Sequence, residues 1–493
     1  MLSLLVFLPV TAAVPLLHPR VPDRIARWWF VLVTASTLAL AGGVWAAYDT
    51  PDPGQLDMVD RVTWVPQIGM SYHVGVDGLS LPLVVMTTAV FLACAVYALR
   101  EDKRPRTQAA LFLGLETTAL GLFAAGDLIL FFVFFDLSIV GMYLSIHGWG
   151  HGERRRSALL FFLYTFLGSL ALLVGFIGLY VAAEPHTFDM VRLASSPPLE
   201  GRAAVMVLGA ILLGLAVKTP TVPFHTWLPP AHTDAPTIGS VVLAAVLLKM
   251  GTYGFVRIGM PMLPDAWRAW SPILVAVGLV SVLWGALVAL AQTDLKRMIA
   301  YTSVNHMGYV VLGLGAAGLA AGEQASARST AVSGAVTQMV SHGLLTGALF
   351  MLAGVVWARG RDFTLTSYGG LAGVAPRFSV LMVIAALGSL GLPGLSGFVA
   401  ELQIFIGAVA VVPIAAVGLL GILLMTAVLL TAVQQMVTGP RTTPTTGFPD
   451  LTRTEWLPVA GLLVTAIVLG LAPGPLLDVV EPAATALVDM VDR

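Results

Sequence analysis

The chain has 493 residues, of which 57% are hydrophobic and 11% charged, with a net charge of −1. Soluble domains carry about 25% charged residues, so this composition describes a polytopic membrane protein with the lipid bilayer as its solvent. The near-zero charge argues against a nucleic-acid partner, and one cysteine, Cys94, excludes an intrachain disulfide or an iron–sulfur cluster held by this chain alone.

Apolar runs reach the roughly 20 residues that span a bilayer. They predict fourteen transmembrane helices, near 2–17, 28–47, 76–99, 107–125, 127–147, 157–183, 203–226, 234–257, 269–292, 297–319, 330–356, 377–411 (broken), 413–437 and 455–476. The first run lacks a basic flank and is read as a retained span rather than a cleaved signal. The longest polar connections fall near 48–75, 184–202, 357–376 and 438–454. Arg20, Arg24, Arg27, Arg100, Lys103, Arg104, Arg154, Arg155, Arg156, Lys296, Arg297, Arg359 and Arg361 all follow odd-numbered spans. That side is then cytoplasmic by the positive-inside rule, and both termini are external. The acidic connection carrying Asp49, Asp52, Asp57 and Asp60 lands opposite.

The seventh span is interrupted at Thr219-Pro220-Thr-Val-Pro223, and the twelfth at Gly391-Leu-Pro393-Gly394-Leu-Ser-Gly397. A five-helix unit repeated with an odd count must be inverted across the membrane, as in many transporters. The charges are out of strict register: Lys218 precedes its break and Glu401 follows its own.

Few ionisable residues lie at membrane depth: Glu116, Asp136, Lys218, Lys249, His306, His342 and Glu401, with His232 beside the first break. Each Lys or Asp at the centre costs roughly 2.5–3.5 kcal/mol, a cost that selects for a partner or a role. The bland reading is a set of buried salt bridges that fix helix packing. Several groups on different helices, with polar residues between them, favour a proton relay. Asp136 and Lys218 are the expected pair, Lys249 the next carrier and Glu401 a terminal acceptor. Gln338, His342 and Thr346 share one helix stripe, and Tyr301, Asn305 and Tyr309 another. Lys249, Thr252 and Tyr253 share a face as well.

Other signals are discounted. Gly313-Leu-Gly315-Ala-Ala-Gly318 fits a dinucleotide fingerprint by letter, but it lies in a membrane span with no preceding strand, where small residues serve helix packing. His147 and His151 have metal-ligand spacing but no third ligand nearby, and no metal site is expected.

The stretches from Lys218 to Tyr253, from Gln292 to Tyr309, Gln338-Met-Val-Ser-His342 and Leu392-Pro-Gly-Leu-Ser-Gly-Phe-Val-Ala-Glu401 closely resemble the antiporter-like membrane subunits of respiratory complex I, the proton-pumping NADH–quinone oxidoreductase. The resemblance covers about residues 75–440. Glu401 separates the chain from subunit N, which carries lysine there, and the chain has no room for the C-terminal lateral helix of the longer subunit L.

The resemblance implies an all-α protein of fourteen helices with a central hydrophilic axis. A three-helix segment would occupy 1–106, inverted repeats 107–258 and 259–438, and a last helix 439–493. It implies multi-pass residence in a bacterial inner (plasma) membrane beside other membrane-arm subunits, L and N. FMN, iron–sulfur clusters and quinone would belong to partner subunits, with no cofactor in this chain. The family's carboxylate–lysine pair maps to Asp136 and Lys218, where the family usually has glutamate, and Glu116 is a second carboxylate available for the role. Its central lysine maps to Lys249. Two alternatives stand beside this reading: a subunit of a multi-subunit sodium/proton antiporter, and a non-pumping scaffold of a hydrogenase-type complex.

Overall fold

The computed structural model describes residues 1–492; the final residue of the expected C-terminal segment, Arg493, lies outside them. The chain is mostly helical. Among the described residues, eleven helices are long and apolar enough to cross a membrane.

In chain order the principal helices are α1 Leu2–Ala13, α2 Asp23–Ala47, α3 Leu81–Tyr97, α4 Pro105–Ala124, α5 Leu128–Trp149 and α6 Arg154–Ala182. They continue as α7 Gly201–Lys218, α8 Thr237–Met262, α9 Pro264–Leu290, α10 Leu295–Ala317 and α11 Ala325–Gly360. The remainder are α12 Pro376–Ser389, α13 Ser396–Val411, α14 Pro413–Thr438, α15 Arg453–Leu471 and α16 Gly474–Asp492.

Burial sorts these helices. The hydrophobic stretch of α11 is wholly buried and that of α8 is 94% buried, whereas only about a third of α2, α14 and α15 is covered. With no hydrophobic drive between helices in lipid, the buried pair must be held by close packing and polar contacts. At 1.5 Å per residue α11 runs about 54 Å, more than a bilayer with its headgroups. It is the pillar against which α10, α12 and α13 are assembled.

Helices α9 and α10 pack through glycine. A Cβ on Gly308 would lie 2.7 Å from Val282 N, and one on Gly278 2.6 Å from Leu312 N. A Cβ on Gly315 would approach Val275 N to 2.8 Å. The run around Gly315 therefore serves close backbone approach, as its membrane setting indicates.

The acidic connection after α2 is not an open loop. Strands β1 Asp57–Val65 and β2 Met70–Val76 form an antiparallel hairpin with Arg61 opposite His73. Its charges find partners that sequence spacing cannot reveal. Asp60 accepts from Ser3 N at 3.0 Å and Ser3 Oγ at 2.8 Å, and Asp189 lies 2.9 Å from Arg61 and 3.1 Å from His73. Asp127 caps α5 and also accepts from Ser71 N at 3.1 Å.

The C-terminal segment holds two helices rather than one. Helix α16 buries Leu476, Val480, Ala484, Leu487, Val488 and Val491 on one stripe. Arg328 of α11 bonds Asp492 at 2.5 Å, and Arg268 donates to the Val491 carbonyl at 2.9 Å. Asp478, Glu481 and Asp489 dilute its hydropathy, which is why it is not read as a span.

Candidate functional site

Both breaks expected from proline and glycine are present. α7 stops at Lys218, and a short helix, Leu228–Asp234, resumes before α8. The second break separates α12 from α13, with Gly391 at φ 77° and Gly394 at φ 92°, backbone that favours glycine. Lys218 is the last residue of α7, where the negative end of the helix dipole favours a cation. Glu401 lies in the second turn of α13, on the side that favours an anion. The two charges are thus placed unequally, Lys218 at a helix C-terminus and Glu401 one turn inside a helix N-terminus.

Lys218 is 1% exposed, donates to Ser138 Oγ at 3.1 Å and sits 4.7 Å from the Phe135 ring. Its expected partner Asp136 is half-buried, and the two side chains form no direct ion pair. Helix geometry explains the difference. Successive residues on α5 turn by about 100°, so Ser138 faces α7 only by rotating Asp136 onto another flank. Glu116 is fully buried in α4 near Cys94, with neither carboxylate oxygen hydrogen-bonded, and it does not join Lys218.

Lys249 is fully buried in α8, just after a π-type turn over Leu243–Leu247. Such turns inside α-helices often mark functional positions. Its Nζ donates to the Ala244 carbonyl at 2.7 Å and meets Nδ1 of His342 in α11 at 2.5 Å. The His306 ring lies 5.3 Å from that of His342, nearly perpendicular at 74°. His306 Nε2 is 3.0 Å from the Ser389 carbonyl, at the end of α12.

These contacts assign tautomers. A carbonyl only accepts, so His306 carries its hydrogen on Nε2 and leaves Nδ1 as acceptor. With Lys249 as an ammonium, which only donates, His342 accepts at Nδ1 and keeps its hydrogen on Nε2. His342 Nε2 and His306 Nδ1 both lack other partners. The arrangement can therefore pass a proton in at His342 Nδ1 and out at Nε2 towards His306.

Beyond His306 a small cavity of about 10 Å³ is lined by Gln338, Ser341, His342, Thr346, Ser389 and Glu401. It has room for about one water. The Gln338, His342, Thr346 stripe faces this space, as its spacing predicts. Tyr301, Asn305 and Tyr309 do not: Asn305 donates to the Val282 carbonyl of α9 at 2.8 Å, and Tyr309 stacks edge-on against Phe405. Tyr253 also turns away from Lys249, donating to the Phe123 carbonyl at 3.1 Å.

His232 is fully buried on Leu228–Asp234, stacked 4.5 Å from Phe350, with both ring nitrogens unpartnered. His147 stacks on Tyr143 and His151 on Trp357, and among the described residues no cluster of three metal-ligating side chains forms.

Sequence reasoning missed Lys296. Beside Arg297 it reads as a topology signal, yet it is 1% exposed and donates to the Ala235 carbonyl at 2.6 Å. It also missed Ser138, whose hydroxyl has no signature beyond falling two residues after Asp136.

A family model described as NADH:quinone oxidoreductase/Mrp antiporter, TM matches residues 125–429. NADH-quinone oxidoreductase subunit M of Rickettsia bellii is 35% identical over 490 residues, covering 97% of this chain and 96% of that protein. NAD(P)H-quinone oxidoreductase chain 4 2 of Thermosynechococcus vestitus is 36% identical over 504 residues, covering 99% and 91%. Among solved structures, a chain of respiratory complex I from Thermus thermophilus superimposes with a TM-score of 0.90 at 29% identity, covering 100% of both chains. A chain of the Mrp complex from Dietzia shares the fold, with a TM-score of 0.86 at 22% identity over 100% of this chain and 99% of that one. With relatives matched from end to end and the membrane domain recognised across its core, the chain belongs to the NADH-quinone oxidoreductase subunit M family.

Proposed function

We propose that this chain is a proton-translocating membrane-arm subunit of an NADH–quinone oxidoreductase. Protons pass along a buried axis of Asp136, Lys218, His232, Lys249, His342, His306 and Glu401, with Glu116 as an additional buried carboxylate. The single observation that carries the reading is the Lys249–His342 contact at 2.5 Å, continued by His306 towards the second break. A packing role would want a carboxylate opposite a buried lysine. A neutral imidazole instead accepts a proton and passes it on from its other nitrogen.

The fold is read as fourteen membrane helices, with inverted repeats at 107–258 and 259–438 between a leading segment 1–106 and a tail 439–493. The two breaks and the two buried pillars, α8 and α11, support that division. The arginine-rich connections face the cytoplasm, both termini are external, and the protein sits in the bacterial inner membrane with subunits L and N at its flanks. FMN, iron–sulfur clusters and quinone reside in partner subunits. Moving each proton against 100 mV takes about 2.3 kcal/mol, so the drive comes from the redox reaction elsewhere in the complex.

Lys218→Ala and Lys249→Ala complexes, assembled to normal levels, are expected to lose proton pumping. Normal pumping by both would end the reading and leave a scaffold. Sodium-dependent transport would instead favour the antiporter subunit that the family description also covers.

A further inference from the structure

At the end of the molecule that carries the arginine-rich connections lies a depression of about 860 Å³. Its walls include His151, Trp357, Phe363, Arg359 and Arg361, and Lys296 lies in its lining although that side chain is only 1% exposed. Nothing in the relay proposed above uses this feature.

The environment of Lys296 is unusual for a buried cation. Its ammonium donates to the carbonyls of Ala235 at 2.6 Å and Thr233 at 3.5 Å, and lies 5.4 Å from the Phe363 ring. Among the described residues no carboxylate contacts it at ion-pair distance. A buried charge is normally paired with its opposite. A lysine satisfied by carbonyls at a helix C-terminus keeps the option of losing its proton, which an arginine does not have. The other basic ring in the wall, His151, stacks on Trp357 at 4.3 Å, and burial first, then the charges of Lys296 and Arg361, pull its imidazole down to about 3.

The carbonyls that hold Lys296 belong to the end of the short helix bearing His232. That ring has two unpartnered nitrogens and no exposure, and Lys296 reaches the carbonyl of the next residue, Thr233. It stacks on Phe350, two turns and about 12 Å along α11 from His342.

We propose that the depression is the mouth of a proton path and that Lys296 admits protons from it to His232. The proposal rests on the relay reading. Both His232 nitrogens lack a direct partner, so the step runs through one intervening water: an N–H bond of the Lys296 ammonium breaks as the water gains that proton, and the water gives up another to form an N–H bond on the neutral His232 ring. The neutral amine then takes a proton from water or buffer in the depression.

The test uses the assembled complex in sealed vesicles, with NADH oxidation, acidification and the amount of complex measured together. Lys296→Arg keeps the charge and the donors but cannot release a proton, so pumping should fall at least ten-fold with normal assembly. Wild-type pumping in Lys296→Arg, beside a Lys249→Ala complex that does not pump, would overturn the entry role and leave the relay standing. Wild-type pumping in Lys249→Ala would overturn the relay and this proposal with it. If Lys296→Arg fails to assemble, Ala358→Cys carries the test, because Ala358 is exposed in the lining and the native Cys94 is buried. Modification there by a bulky charged thiol reagent should slow pumping; an unchanged rate in the fully labelled complex would overturn the proposal.

Discussion

Two glycines in the second break allow the position of Glu401 to be tested against backbone strain alone. Gly391 and Gly394 both have positive φ, at 77° and 92°. An L side chain there costs roughly 1–2 kcal/mol, so alanine should destabilise both sites to a similar degree. Their surroundings differ. A Cβ on Gly391 would lie 2.3 Å from Glu401 Oε2, whereas one on Gly394 would meet nothing closer than Leu471 Cδ2 at 3.6 Å. Restoring an ordinary contact moves the carboxylate by about 1 Å, out of a cavity with room for about one water. Misplacement on that scale can cost about 100-fold in a reaction that depends on alignment. Gly391→Ala and Gly394→Ala complexes should therefore show matched thermal stability and assembly. Proton pumping should fall about 10- to 100-fold in Gly391→Ala and remain near wild type in Gly394→Ala. Equal pumping by two equally stable variants would mean that the placement of Glu401 is immaterial.

Two further outcomes are expected. Gly308→Val drives a side chain into the backbone of α9, where Val282 N would lie 2.7 Å from the new Cβ. Overpacking of this kind costs about 1–3 kcal/mol, seen as a lower melting temperature of the purified complex, and an unchanged melting temperature would contradict the packing described. The hairpin is tied down by Asp189. Burial raises that carboxyl, but the His73 bond, the Arg192 N–H and the Arg61 charge outweigh it and hold it below the usual carboxylate range. Its stabilisation is then present above the unfolded value of about 4 and is lost as pH falls through the lower folded value. Hydrogen exchange of residues 57–76 should stay slow at pH 5 and rise only in stronger acid, and Asp189→Asn should exchange faster already at neutral pH. Protection that is lost between pH 7 and 5 would point to another group.

The residues of the proposed axis were legible because the bilayer makes ionisable residues rare. Lys218, Lys249, His306, His342 and Glu401 each stand out against apolar neighbours, and the Gln338–His342–Thr346 stripe follows from helical spacing alone. Partners across helices were not legible. Lys249 and His342 are 93 positions apart, and only the packing of α8 on α11 brings them together. The Asp136–Lys218 pair failed as a direct contact because two residues along α5 rotate the carboxylate away from Ser138, the group that lysine reaches. Lys296 was hidden by its neighbour: next to Arg297 at a helix start it looks like a topology signal, and only burial distinguishes it. α16 escaped a hydropathy reading because exposed Asp478, Glu481 and Asp489 mask its narrow apolar stripe, and the hairpin because its half-buried Asp57 and Asp60 made the connection read as an acidic loop.

In the proposed route, protons cross this subunit through Lys249. Lys249→Met keeps most of the side-chain volume and removes the only group that joins the Ala244 carbonyl to His342 Nδ1. The measurement is protons moved per NADH oxidised, in vesicles containing wild-type amounts of the assembled complex. A lower ratio, or turnover that collapses with it, is the predicted result. A wild-type ratio at a wild-type rate would mean that protons do not cross through Lys249.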